Sequence, residues 1–61
     1  MQSADRYVVR PNPQAPNLWD VVDTMHSGEV VLGGDALLEG QARELAERLS
    51  RHYREWREQW R

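Results

Sequence analysis

ALLEGQARELAERLSRHYREWREQWR, residues 36–61, occupies the last twenty-six positions of a 61-residue chain. Turned at 100° per residue, the increment of an α-helix, it separates into two faces. Leu38, Ala42, Leu45, Ala46, Leu49, His52, Tyr53, Trp56 and Trp60 share one side. Opposite them lie Arg43, Glu44, Glu47, Arg48, Ser50, Arg51, Arg54, Glu55, Arg57, Glu58 and Arg61, with no large apolar residue among them. This is the pattern of one long amphipathic helix. Glu39 with Arg43, Glu44 with Arg48 and Glu47 with Arg51 stand in the favoured i,i+4 order, each pair worth ~0.2 to 0.5 kcal/mol in an isolated helix.

Working back from the helix, Gly33 and Gly34 permit a sharp exit from a strand, and Asp35 is placed to cap the first free N–H groups. Gly40 interrupts the pattern on the polar side, at a cost of about 1 kcal/mol relative to alanine in a helix interior. Either the first turn at 36–39 is offset from the main helix, or a partner approaches the backbone there. Three segments ahead of these glycines have strand character: Arg6 to Arg10, Leu18 to Met25 and Glu29 to Leu32. The run Pro11-Asn12-Pro13 is expected to stop the first, because proline has no N–H to donate. His26-Ser27-Gly28 reads as a hairpin turn between the second and third. The expected fold is α+β: a three-stranded antiparallel meander followed by one long C-terminal amphipathic helix across one face. Val9, Trp19, Val21, Val31, Leu38, Ala42 and Leu45 form the expected core.

Residues 1–5 read as a flexible N-terminus and 6–61 as a single domain, near the lower size at which one core holds a fold unaided. The chain has no cysteine, which excludes disulfides and thiolate zinc sites as reinforcement and leaves association as the common remaining route. Lengths sharpen the point. Strands of five or six residues span ~17 to 20 Å, whereas twenty-five helical residues span ~37 Å. The far half of the helix, about 50–61, is expected to protrude. It carries a stripe of large aromatic side chains that each bury ~150 to 250 Å² when covered, so Leu49, His52, Tyr53, Trp56 and Trp60 are the expected interface. Their spacing continues the a and d positions of a heptad from Leu38 onward. The alternative is a helix that frays after Tyr53 or bends back onto Val8 and Trp19.

Tyr7-x-Val9 in the first strand, Trp19-x-Val21 in the second, a short third strand, and Ala42-x-x-x-Ala46-x-x-Leu49 in the helix resemble small bacterial and phage ββ(β)α domains of unknown function. The resemblance spans Tyr7 to Tyr53; the Asn-Pro-Gln-Ala-Pro-Asn connection and the aromatic C-terminal extension depart from it. It implies the fold, and the context of a small accessory or modulator protein, but no activity.

Chemistry finds few footholds. The Gly33-Gly34 turn before a helix is an arrangement that holds phosphate, but Asp35 would sit where the anion belongs and repel it, and the further glycines, lysine and Ser/Thr of a P-loop are missing. His52 with Glu55 offers two metal ligands where a site needs three or four, and His26 lies far off in a turn. Asp20 and Asp23 fall on opposite strand faces, so they are poor candidates for a shared-proton pair. No catalytic residue, cofactor or metal is expected.

Ten acidic residues against eight basic ones, all arginine, give a net charge of −2. Glu44, Glu47, Glu55 and Glu58 interleave with the arginines, which argues against nucleic-acid binding through Arg48, Arg51, Arg54, Arg57 and Arg61 beside Tyr53, Trp56 and Trp60. That reading remains the alternative. No stretch approaches the ~20 apolar residues of a membrane span, and the N-terminus lacks the basic and apolar regions of a signal peptide. A cytoplasmic, non-enzymatic interaction module is expected, homodimeric through its C-terminal helix; a second protein partner, its identity left open, would dock on the sheet face the helix leaves uncovered or on an exposed strand edge, with Tyr7, Val9, Val22, Val30 and Leu32 as candidates.

Overall fold

The computed structural model describes residues 6–59; the expected flexible N-terminus 1–5, and Trp60 and Arg61, lie outside the described residues. Strand β1 (Tyr7–Asn12) turns into β2 (Ala15–Asp23), and β3 (Glu29–Val30) and helix α1 (Glu39–Gln59) follow. The sheet is antiparallel in the order β1-β2-β3, with one C-terminal helix, an α+β fold. Its register is set by Val9 opposite Val21 and Val8 opposite Val22.

Asn12 makes the first turn. Its Oδ1 accepts the N–H groups of Gln14 at 2.8 Å and Ala15 at 3.0 Å, the local side-chain bonding that favours Asn in turns. Pro11 does not end the strand as its sequence suggests, but sits within β1 opposite Trp19. The reason lies in the direction of its neighbours' bonds. Trp19 and Val21 send their N–H groups away from β1, to Leu37 and Gly34, while Arg6 C=O accepts from Thr24 N–H. In an antiparallel ladder alternate residues face alternate sides. Tyr7, Val9 and Pro11 therefore turn their backbone groups to the open edge, where the missing N–H of proline costs nothing.

The third strand is shorter than the expected Glu29 to Leu32. A single 3-10 turn, Thr24–His26, leads through Ser27 and Gly28, both at positive φ, into only two paired residues. Val31 N–H then bonds Val21 C=O at 2.9 Å, Gly34 N–H bonds Val31 C=O at 2.9 Å, and Gly34 C=O receives Val21 N–H at 2.8 Å. The chain folds into a tight turn over Val21 with Leu32 at its tip. Only glycine fits at 34, since a Cβ there would lie 2.6 Å from Val31 Cγ2 and 3.0 Å from Val21 Cβ.

The helix begins at Glu39, not at 36. Ala36 has φ +54°, and Leu37 exchanges both backbone hydrogen bonds with Trp19 at 2.7 Å. This bridge holds Leu37 beside β2 after a bend at residues 35 and 36. Asp35 caps nothing in the helix; its Oδ1 takes Asn12 Nδ2 at 3.2 Å. Gln41 instead reaches back to Leu38 N–H at 3.3 Å, the returning half of a capping box. Gly40 thus falls in the first helical turn, and the segment before it is indeed offset.

Val21, Ala42 and Ala46 are the buried centre, with Tyr7, Val9, Trp19, Val31, Leu37, Leu45 and Leu49 packed against them. Small alanines let the helix lie close upon Val21. The expected core residues Val9, Trp19, Val21, Val31, Ala42 and Leu45 all lie in or against this cluster. Leu38 does not: it is 60% exposed, and Leu37 takes the inward place because the bridge to Trp19 fixes the entry to the helix one residue earlier.

Candidate association surface

At one end of the sheet, β1 and the turn after β2 meet around a carboxylate. Arg6 Nε donates to Asp23 Oδ1 at 3.0 Å and Arg6 Nη2 to Oδ2 at 2.9 Å. Met25 N–H donates to Oδ1 at 3.0 Å, and His26 Nδ1 lies 2.8 Å from Oδ2. The Arg6 hydrogen bonds, more than offsetting partial burial, hold the Asp23 carboxyl well below the usual carboxylate range. Above it the Arg6 guanidinium lies 5.1 Å from the Tyr7 ring centroid and 4.7 Å from that of Tyr53. The Tyr53 hydroxyl reaches Met25 Sδ at 3.5 Å, and Arg57 stands 5.8 Å from the same ring.

A carboxylate engaged on both oxygens and kept ionised is a poor proton acceptor. The cluster ties the helix to the strand ends. Asp20 has an equally tied role: it is buried, and its Oδ1 accepts Ala36 N–H and Asn12 Nδ2, each at 2.9 Å. Those two hydrogen bonds, the backbone one first, lower its pKa. It joins the β1–β2 turn to the link before the helix. The two carboxylates stand apart on opposite faces, as their spacing along one strand requires. Among the described residues no group of three or more His, Asp or Glu side chains is placed to hold a metal ion, and no helix is long and apolar enough to cross a membrane.

The helix divides the expected interface residues. Leu49 packs against the core cluster, and Tyr53 is engaged by Arg6 and Met25. Support beneath the helix therefore continues to Tyr53, one turn past Leu49, because the Arg6 and Met25 side chains extend beyond the strand ends. His52 is exposed, Trp56 is 56% exposed, and Trp60 lies outside the described residues. Along the helix, Leu45, Leu49, His52 and Trp56 follow at intervals of four, three and four and so share one flank.

That flank borders an open groove of about 410 Å³, whose apolar walls are Val30, Val31, Leu32, Leu45 and Leu49. Leu32 is fully exposed at its lip, and Val30 on its wall is exposed as well. The other flank of the helix is polar: Arg43, Glu47, Ser50 and Arg54 face the β1 edge. The sequence marks the stripe along the helix and offers Val30 and Leu32 for a second partner, but misses their place beside that stripe and the Arg6–Asp23 tie. The first depends on how residues 29–34 turn over Val21 and the second on the pairing of Tyr7 with Asp23, and no spacing encodes either.

The chain matches no protein-family model, no curated protein sequence and no solved structure.

Proposed function

We propose that this chain is a non-enzymatic protein–protein interaction module that forms a homodimer through the apolar flank of its C-terminal helix, the role of a small bacterial or phage accessory protein. One observation carries the reading. Among the described residues, the only apolar side chains buried outright are Val21, Val22, Ala42 and Ala46, all small, whereas Leu45 and Leu49 on the helix flank are only half-buried and Leu32 and Trp56 are exposed. A chain of 61 residues without cysteine gains little stability from so small a centre. A second copy laid against Leu32, Leu45, Leu49, His52 and Trp56 supplies the missing cover, and exposed patches of this kind ordinarily mark association sites. The symmetry of a dimer is met by one flank serving both subunits.

Light scattering tests it. The wild type is expected at twice the chain mass at micromolar concentration, and Trp56→Ala with Trp60→Ala, or Leu32→Glu alone, is expected to give the monomer. A wild type monomeric at high micromolar concentration would sink the proposal.

Nucleic-acid binding, the alternative, draws less support. Arg43, Arg48 and Arg51 are held by Glu39, Glu44 and Glu47 at 2.8, 3.3 and 3.1 Å, which leaves a weak field along the helix. Steep loss of affinity for mixed-sequence DNA or RNA with added salt would revive it.

A further inference from the structure

We infer that the open edge of β1 takes an extended peptide strand carrying an apolar residue and a carboxylate on the same face, from a protein other than this one. The edge offers the N–H and C=O groups of Tyr7 and Val9, and among the described residues no strand pairs with it. Strand addition supplies its affinity through such main-chain groups and its selectivity through the side chains of alternate residues. Pro11 closes the donor row at one end. The available edge is three residues long.

Beside the edge runs a groove of about 520 Å³ between β1 and α1, with Ala46 as its apolar floor and Arg43, Glu47, Ser50 and Arg54 along its helical wall. The charges of this wall choose the occupant. Arg43 is paired with Glu39 and Glu47 with Arg51, so within the groove only Arg54 has no ion-pair partner among the described residues. The helix runs from the Pro11 end of β1 toward the Tyr7 end, since Leu37 bridges Trp19 and Tyr53 meets Arg6. A peptide strand places residues two apart on one face, ~6.6 Å from each other. Its apolar residue then lies over Ala46 and its carboxylate reaches Arg54. A second copy of this chain fits poorly, because its own edge residues, Tyr7, Val8 and Val9, bring no carboxylate. Pairing by β1 on top of a helix-flank dimer would also give an open chain of subunits instead of a closed one.

The probe is the blocked pentapeptide Thr-Val-Thr-Glu-Thr, titrated into the full chain with amide shifts and amide exchange read by NMR. Expected are shifts and slowed exchange at the Tyr7 and Val9 amides, with the Val8 amide, already in the ladder, little changed. Arg54→Glu should weaken binding at least tenfold, and so should lysine in place of the peptide glutamate. Val9→Pro removes one edge donor without touching the β1–β2 ladder and should abolish binding in a protein that keeps its helical circular dichroism; should that variant unfold, Arg54→Glu on the solvated wall decides. Unperturbed Tyr7 and Val9 amides, equal affinity for the lysine peptide, or growth of long assemblies through β1 pairing with its own copy would each overturn the inference. None of these readouts depends on whether the helix flank dimerises, so the two proposals fail separately.

Discussion

Gly34 and Asp23 each fix one local arrangement. At Gly34 the surroundings leave no room for a methyl group: Val21 Cβ is attached to the central strand and cannot swing aside. Gly34→Ala should cost ~1 to 3 kcal/mol, the range for overpacking a filled site, read as a lower denaturant midpoint with an unchanged slope. Asp23 governs acid sensitivity. Its folded pKa is depressed by Arg6 below the unfolded value of ~3.9, so its contribution is complete above that value and is lost as pH falls through the folded pKa. Stability should decline below about pH 4, and Asp23→Asn should be less stable at neutral pH yet show a shallower decline in acid. An identical acid dependence in the variant, followed by thermal melts from pH 7 to pH 2, would remove Asp23 from the account.

At the scale of elements, the entry to α1 is decided by β2. Trp19 bonds Leu37 in both directions, Val21 bonds Gly34, and Asp20 bonds Ala36 N–H. The second strand thus holds the whole link before the helix and places Leu37 inward and Leu38 outward. Leu37→Ala should destabilise by ~2 kcal/mol, the low end for a leucine in a packed site because it is only half buried. Leu38→Ala should stay within ~0.5 kcal/mol, as surface changes do. Equal losses at the two positions in a denaturant titration would show that the bridge does not set the register. The helix itself is stitched by its three Glu to Arg pairs at i,i+4. These are solvated, and their geometry was readable from the spacing alone.

The whole molecule measures 40 × 21 × 20 Å, its long axis roughly the length of the helix, ~31 Å for twenty-one residues, of which six, under two turns, follow Tyr53. Its buried apolar centre is small and its helix flank is open, so folding and association should be coupled. The melting temperature of the wild type should rise with protein concentration, because dimerisation stabilises the folded form by mass action. The Trp56→Ala, Trp60→Ala variant should melt lower and without that dependence. Melts at 5 and 500 μM that superimpose for the wild type would argue for a self-sufficient monomer.

The sequence alone determined the elements and their order. Two-faced periodicity requires a helix, alternating Tyr-Val and Trp-Val pairs require strands, and Asn12, Gly28 and Gly33 supply turns, because each of these patterns is local and acts within a few residues. It also determined which side of the helix is apolar, and hence that Ala42 and Leu45 meet the sheet, whereas Leu49, expected in the interface, proved to pack against the core as well. The tertiary structure decided what depends on distant partners. That Leu37 and not Leu38 turns inward follows from hydrogen bonds to a residue eighteen positions earlier. That Tyr53 is held by its own chain follows from Arg6, placed there by the pairing of Tyr7 with Asp23. The sequence offers Tyr7, Val9, Val30 and Leu32 for an exposed edge or bare face, but that the free edge belongs to β1 and that Leu32 stands beside the helix flank were decided by the assembled ladder, since backbone groups in every strand are chemically alike.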